Sequence, residues 1–399
     1  MNKQGGYKQT EIGRLPKEWE VVRLEEIFDI QVGGDIYKLN FSKQKNERYK
    51  FPIYSNSLEN NGLYGYADTY QYPENCITVT GRGTLGRATP RFEKFNAIIR
   101  LLVLIPKANI NIMFASEYIN TRIGFRIEKT SIPQLTAPKL AKYKIPLPPL
   151  PEQKKIAEIL STVDEAIEKV DESIAKTERL KKGLMQELLT KGIGHKEFKD
   201  TEIGRIPKEW EVVKVGEIGE VITGTTPSTK VKEYWGDGYL FVTPTDFSNN
   251  KYVHQTERSI TPEGVEKARV IPKDSVMVTC IASVGEVAMS SEECITNQQI
   301  NSIVCNEKTN PHYVYYAMKF RKNVLKRWAG ITTSPIVKKS LFEKFPLPLP
   351  PLPEQQKIAE ILSTVDKRLE LLRNKKEKME RIKKGLMNDL LTGKRRVKV

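Results

Sequence analysis

At 399 residues the chain is long enough for two or more domains. Its 65 Lys and Arg against 49 Asp and Glu give a net charge of +16, while four cysteines without a CxxC pair and three scattered histidines argue against a zinc site. No apolar run could span a membrane, the opening MNKQGGYKQTEIGR is too polar for a signal peptide, and the cysteine usage fits a reduced, cytoplasmic protein.

The first recognisable segment is TEIGRLPKEWEVVRLEEI at 10–27. It returns at 201–218 as TEIGRIPKEWEVVKVGEI, identical at fourteen of eighteen positions. Between Trp19 and Pro149 the chain is rich in short apolar runs with turn residues between them. CITVT (76–80) and AIIRLLVLI (97–105) read as strands, and 113–127 as a short helix. This segment is the most basic, with 22 Lys and Arg against 14 Asp and Glu over residues 1–150. Such a balance suits a polyanion partner, although charge alone does not name one.

Within it, GRGTLG (81–86) matches G-x-G-x-x-G after a strand. Pro90 stands where a phosphate-cradling helix would have to run, which argues against a dinucleotide or S-adenosylmethionine site, and no cofactor is expected. Arg82, Thr84 and Arg87 then admit two readings: contacts to DNA phosphate or a guanine edge, or solvated residues on a turn.

Residues 148–164, PPLPEQKKIAEILSTVD, open a long charged stretch ending LKKGLMQELLT. Residues 350–366 repeat them at an offset of 202 with sixteen of seventeen positions identical, and that stretch ends IKKGLMNDLLT. Each reads as one helix. Pro151 or Pro353 sits just inside the start, where its missing N–H costs nothing. Glu152 or Glu354 follows at the positive end of the dipole, and Gly192 or Gly393 stops the helix. Apolar spacing alternates four and three through Ile156, Leu160, Val163, Ile167, Val170 and Ile174, and through Ile358, Leu362, Val365, Leu369 and Leu372, the seam of a coiled coil. The partner of each helix is either the other copy or a second chain. We expect Leu160, Val163, Ile167, Leu362, Val365 and Leu369 to be buried between the two helices of one chain.

The second globular segment carries YLFVT (239–243), SVMVTCIA (275–282) and INSIV (300–304) as strands and 311–328 as helix. Its polar loops GTTPSTKVKEYWGDG (224–238) and FVTPTDFSNN (241–250) read as recognition surface or as ordinary turns, with Thr243 and Thr245 as candidates. YPENCITVTGRGTLG (72–86) aligns with IPKDSVMVTCIASVG (271–285), which pairs Thr84 with Ser283 and Gly86 with Gly285. TSIPQLTAPKLAKYKIPLPP (130–149) aligns with TTSPIVKKSLFEKFPLPLPP (332–351). The two segments therefore share a fold, read as α+β: two globular domains joined by two long helices in an antiparallel coiled coil, a pseudo-twofold internal repeat. The expected boundaries are 1–147, 148–192, 193–349 and 350–399. No P-loop, metal cluster or catalytic constellation stands out, so no catalytic residue and no metal ligand is expected.

With EIGRIPKEWEV, GRGTLG, GTTPS…EYWGDG…TPTDF, Asn297-Gln298 and PLPPLPEQxKIAEIL in hand, the chain resembles the specificity subunit of type I restriction–modification enzymes over essentially its whole length. The resemblance implies two target-recognition domains, each reading one half of a bipartite, asymmetric double-stranded DNA sequence. It implies a helix pair that fixes the gap between the halves and docks two methyltransferase subunits, through which motor-nuclease subunits join. It also implies a subunit that is not itself catalytic. The DNA-contacting candidates are then Arg82, Thr84, Arg87, Thr243, Thr245 and Ser283, and the docking candidates are the six seam residues. An enzyme acting alone and a purely structural adaptor are the competing readings.

Overall fold

The computed structural model describes residues 6–125, 134–248, 250–330 and 335–398. The starts of the aligned stretches at 130–149 and 332–351, and the end of the helix expected at 113–127, lie outside the described residues. The chain divides into two compact units. One comprises Met1–Asp171 with Asn374–Val399, the other Glu172–Arg373. Two helices of 39 residues, Leu150–Leu188 and Leu352–Leu390, contribute a half to each unit.

In the first unit an antiparallel sheet runs in the order Phe28–Val32, Leu102–Pro106, Cys76–Val79, Ala88–Arg91. Cys76–Val79 is buried along its whole length, as strands covered on both faces are. A second sheet pairs Asn96–Ala97 parallel to Phe51–Tyr54, which pairs antiparallel to Leu63–Ala67. The run AIIRLLVLI is thus not one strand but two strands of different sheets. The chain leaves the smaller parallel pairing with Phe51–Tyr54 after Ala97, passes Ile99 and Arg100 in the left-handed region (φ 54° and 56°), and enters the antiparallel sheet beside Phe28–Val32 at Leu102. A left-handed conformation at a β-branched residue is strained, and here it makes the crossing between sheets.

The second unit repeats this plan. Gly219–Thr223, Ile300–Cys305, Val276–Thr279 and Val287–Ser290 form the antiparallel sheet in the same order. Trp235–Val242 again pairs parallel to the short strand Cys294–Thr296. Equivalent helices, Ile112–Arg122 and Pro311–Phe320, begin at Asn111 and Asn310, whose side chains accept from the backbone N–H three residues on. Small ladders flank each head: Glu20–Arg23 with Lys144–Leu147, and Glu211–Lys214 with Pro346–Leu349.

The nearly identical motifs are those that touch. In the first unit the indole N–H of Trp19, fully buried, donates to Glu152 at 3.0 Å; in the second, Trp210 donates to Glu354 at 3.0 Å. The next residue in each copy, Gln153 or Gln355, accepts from the N–H of Asn111 or Asn310 at 2.8 Å. It also donates to the carbonyl of Pro148 or Pro350, at 2.7 and 2.8 Å. The Pro-Glu-Gln sequence thus starts the long helix and fastens it to the head's tryptophan and to its short helix. Its conserved carboxylate does more than favour the helix dipole.

The long helices lie antiparallel. In the first unit Lys383 meets Asp164 at 2.6 Å and Lys376 meets Asp171 at 2.7 Å. In the second Lys181 meets Asp366 at 2.5 Å and Arg373 meets Glu178 at 2.8 Å. Lys181–Asp366 and Lys383–Asp164 are the same pair displaced by 202 residues, so the internal repeat reaches individual side chains.

Burial along the expected seam is uneven. Leu160, Leu362 and Leu369 are buried, whereas Val163, Ile167 and Val365 are half-buried. Ile156, Ala157 and Leu160 belong to the first head's core with Trp19, Leu390 and Leu391. Ile358, Ala359 and Leu362 belong to the second head's core with Trp210, Leu188 and Leu189. The helices are therefore more than a coiled-coil seam at their ends. The start of one helix and the finish of the other complete each head.

Candidate nucleic-acid interface

In both heads the candidate loop joins two adjacent antiparallel strands by one hydrogen-bond scheme. The Thr80 hydroxyl donates to the Thr84 carbonyl and accepts from the Arg87 N–H at 2.9 Å, while Gly86 N–H reaches the Thr80 carbonyl at 2.8 Å. In the second head the Thr279 hydroxyl donates to the Ser283 carbonyl and accepts from the Glu286 N–H at 3.0 Å, and Gly285 N–H reaches Thr279 at 2.8 Å. Gly86 and Gly285 close the turn at φ 81° and 87°. At Gly86 a Cβ would also stand 2.1 Å from the Phe125 ring, so glycine is required there for shape and not for phosphate.

The loop leaves Thr84, Arg87 and Ser283 exposed and Arg82 half-buried. Among the described residues the buried Arg82 Nε has no hydrogen-bond partner. Asn56 fixes the loop: its side-chain oxygen accepts from Gly81 N–H at 2.7 Å and Arg82 N–H at 3.3 Å, and its amide donates to Ile99 at 2.6 Å. Arg82 is thereby brought beside the strained Ile99–Arg100 crossing, whose two residues are exposed. Asn56 and Arg100 escape a motif search because their proximity is made by the two sheets.

Thr243 and Thr245 lie together, hydroxyl to hydroxyl at 2.8 Å. The Thr243 hydroxyl is already committed to Asp246 at 2.7 Å, within a cap of the turn Pro244–Asp246, so Thr245 is the freer of the two. Nearby, Thr226 donates to Gln298 at 2.7 Å, bringing the GTTPS stretch against Asn297-Gln298. Arg258 stacks 3.5 Å over the Trp235 ring. The candidate hairpin loops of the two heads thus share one hydrogen-bond scheme and carry different side chains.

The short helices join heads to long helices through perturbed groups. Burial raises the Glu117 carboxyl, against which Lys383 and Arg87 act. At the matching position Tyr316 donates to Asp366 at 2.7 Å, and burial with that carboxylate drives its hydroxyl far above the ordinary range.

The model of the type I restriction modification DNA specificity domain matches this chain twice, over residues 16–178 and 207–381. The chain belongs to that family. It is 30% identical to the putative type I restriction enzyme MjaX specificity subunit of Methanocaldococcus jannaschii, over 99% of this chain and 98% of that one. It is 28% identical to the MjaVIII specificity subunit of the same organism, over 99% and 97%. Its fold matches the specificity subunit of M. genitalium with a TM-score of 0.64 at 16% identity, covering 93% of this chain and 96% of that one. A chain from a structural study of complex assembly and conformational transition in a type I system matches at 0.56 and 17% identity, covering 95% and 99%.

Specificity subunits are the non-catalytic recognition components of type I restriction–modification, and membership gives this chain that role: DNA sequence specificity within a larger complex. Among the described residues no group of three or more His, Cys, Asp or Glu could hold a metal ion, and no helix is long and apolar enough to cross a membrane. Burial raises the thiols of Cys280, Cys294 and Cys305 to about 12, which leaves them inert as nucleophiles.

Proposed function

We propose that the two heads read separate halves of a bipartite, asymmetric DNA target, with the helix pair setting the gap between them. The carrying observation is the contrast between frame and edge. The frame residues Trp19, Glu152 and Gln153 have exact counterparts in Trp210, Glu354 and Gln355, with the same bonds to within 0.1 Å. The exposed loops on that frame have diverged: Arg82-Gly83-Thr84 stands against Ile281-Ala282-Ser283, and Ile99-Arg100 against the Asn297-Gln298 region. One scaffold with two surfaces reads two different sequences. On this reading Arg82, Thr84 and Arg87 serve one half-site, and Thr243, Thr245 and Ser283 the other. Residues 1–147 and 193–349 are the recognition domains; residues 148–192 and 350–399 carry the helices.

The helix pair is also the docking platform for two methyltransferase subunits, and through them for the restriction subunits. A near-twofold pair of helices offers two equivalent surfaces to two identical partners. Exposed charges beside the seam, Glu168 and Lys169, are the partner contacts we favour. The complex acts on chromosomal and incoming DNA in the cytoplasm. Exchanging residues 30–140 for those of a relative and mapping methylated bases in the host genome tests the reading. One half-site should change and the other persist; loss of both in a folded chimera refutes it.

A further inference from the structure

The second unit has a feature that the first lacks. Its central sheet gains a fifth strand, Tyr252–Val253, parallel beside Val287–Ser290, where the matching sheet of the first unit ends at Ala88–Arg91. This added segment delivers Lys251, whose ammonium donates to the Ser363 hydroxyl at 3.2 Å and lies 4.8 Å from the centre of the Tyr316 ring. Between the added strand, the helix Pro311–Phe320 and this unit's halves of the long helices lies a cavity of about 1030 Å³. Its wall includes Lys251, Lys319, Tyr252, His254, His312 and Tyr315.

The cavity's cations are not matched by its carboxylates. Asp366 is committed to Lys181 through one oxygen and to Tyr316 through the other, Glu178 to Arg373, and the third carboxylate, Glu370, stands at the exposed rim. Lys251 donates to Ser363, and Lys319 to the Tyr315 hydroxyl at 2.9 Å; among the described residues neither has a carboxylate within 4 Å. Among the described residues His312 Nδ1, which is buried, has no hydrogen-bond partner. Arg179 and Lys182 add positive charge at the exposed rim. Burial holds Lys251 at about 8 and Lys319 below the usual lysine range, outweighing the opposing pull of Asp366 on both.

The same short-helix positions in the first unit are closed off. Glu117 replaces Tyr316 and faces Lys383. Asn120 replaces Lys319 and is spent on both backbone groups of Ala88, at 2.8 Å each. The cationic cleft is therefore a construction of the second unit and not a by-product of the repeat.

We propose that this cleft binds a nucleoside polyphosphate, with its phosphates on Lys251 and Lys319 and its base against the Tyr252 and His254 rings, whose centres lie 6.0 Å apart. A concavity of this size suits one small ligand with most of its surface covered, and it far exceeds what phosphate alone would fill. Ammonium groups supply the point charges phosphate needs, and aromatic faces supply the stacking surface. Of the DNA-contacting candidates none lines this cleft, although Asn250, at the end of the stretch 241–250, does.

Isothermal titration of the full chain in EDTA with ATP, tripolyphosphate and adenosine tests it. ATP should bind with one site per chain, tripolyphosphate at least about tenfold more weakly, and adenosine not at all at millimolar concentration. Lys251→Gln and Lys319→Gln should each weaken ATP by about tenfold or more, the loss of one charge-assisted hydrogen bond, in a chain that still folds and keeps its DNA affinity. If either variant fails to fold, Lys182→Glu at the exposed rim carries the same test. Tripolyphosphate binding as tightly as ATP overturns the assignment of the base. No heat with millimolar ATP, or ATP affinity unchanged in the variants, overturns the site. Displacement of ATP by a random-sequence duplex would mean that the cleft holds DNA phosphate, and refutes it equally.

Discussion

Replacing Glu152 with alanine should unfasten the first unit while leaving the second folded. The carboxylate is 3% exposed and accepts three hydrogen bonds: Trp19 Nε1 at 3.0 Å, Arg396 Nε at 2.6 Å and Arg396 Nη2 at 2.9 Å. Its removal leaves an indole N–H buried without an acceptor, about 1–3 kcal/mol, and ends a bidentate pair. Together we expect about 3–5 kcal/mol, the usual consequence of breaking a largely buried ion pair. Arg396→Ala should cost less, about 1.5–3 kcal/mol, because that side chain is 36% exposed and also pairs with Glu18. Glu152→Gln keeps an acceptor for Trp19 and should fall between wild type and alanine. The two alanine changes remove one interaction, so the double variant should lose less than the sum of the singles, by about 1–2 kcal/mol. Trp19 is the only tryptophan of the first unit, which allows a selective assay. In 5-fluorotryptophan-labelled protein its ¹⁹F resonance should disappear at lower urea, while those of Trp210, Trp235 and Trp328 hold. Additivity within about 0.3 kcal/mol, or an unmoved Trp19 transition in Glu152→Ala, would refute the hub role of this carboxylate.

Other outcomes follow from the same geometry. Inserting four residues after Asp171 and four after Arg373 keeps the helices in register and adds about 6 Å, or roughly two base pairs at ~3.4 Å each. Methylation mapping should then return the original half-sites with a longer gap; altered half-sites with an unchanged gap would sink the ruler idea. Leu369→Asp places a charge at a buried seam position and should weaken methyltransferase binding strongly, Ile167→Asp less so because its site is half-buried. Arg82→Ala with Arg87→Ala should spare that binding and lower the salt dependence of DNA affinity by about two ion equivalents; the converse pattern would reverse the division between helices and heads. Lys251 titrates at about 8 when folded against 10.5 ordinarily, so between these values the unfolded chain binds more protons and the stability of the second unit rises with pH. Asp366, Asp274, Lys181 and Lys367 act on this group, and the rise should continue to about pH 10, where Tyr252, raised to about 12, starts to oppose it. Lys251→Met should flatten the rise, and an unaltered slope would assign it to other groups.

Length, duplication and local patterning carried much of the architecture into view from sequence alone. The two long helices, their proline starts and their glycine stops are local features, fixed by backbone chemistry within a few residues of each end. The alignment of 72–86 with 271–285 was equally legible, because one hairpin scheme needs threonine at its start and glycine at its left-handed position. Repetition made faint similarity readable: two copies in one chain substitute for an alignment. Nothing local explained why Pro-Glu-Gln and Trp should be the positions kept. That reason lies in contacts 133 and 144 residues apart, Trp19 to Glu152 and Trp210 to Glu354.

The places where pattern misled have one cause. A heptad counts which residues share a face but not what covers it, so Leu160 and Leu362 looked like pure seam when each also completes a head. An unbroken apolar run cannot reveal that a chain changes sheets inside it, as AIIRLLVLI does at Ile99 and Arg100. Lys251 gave no signal as one lysine among many; only the added strand and the burial it imposes set it apart. The sequence by itself determined the repeat, the helices and the family, because these are written in short-range chemistry and in copying. The tertiary structure alone decided which carboxylates hold the frame, where the Arg82 side chain is buried and where cationic side chains collect, because burial and pairing belong to the surroundings that distant segments create.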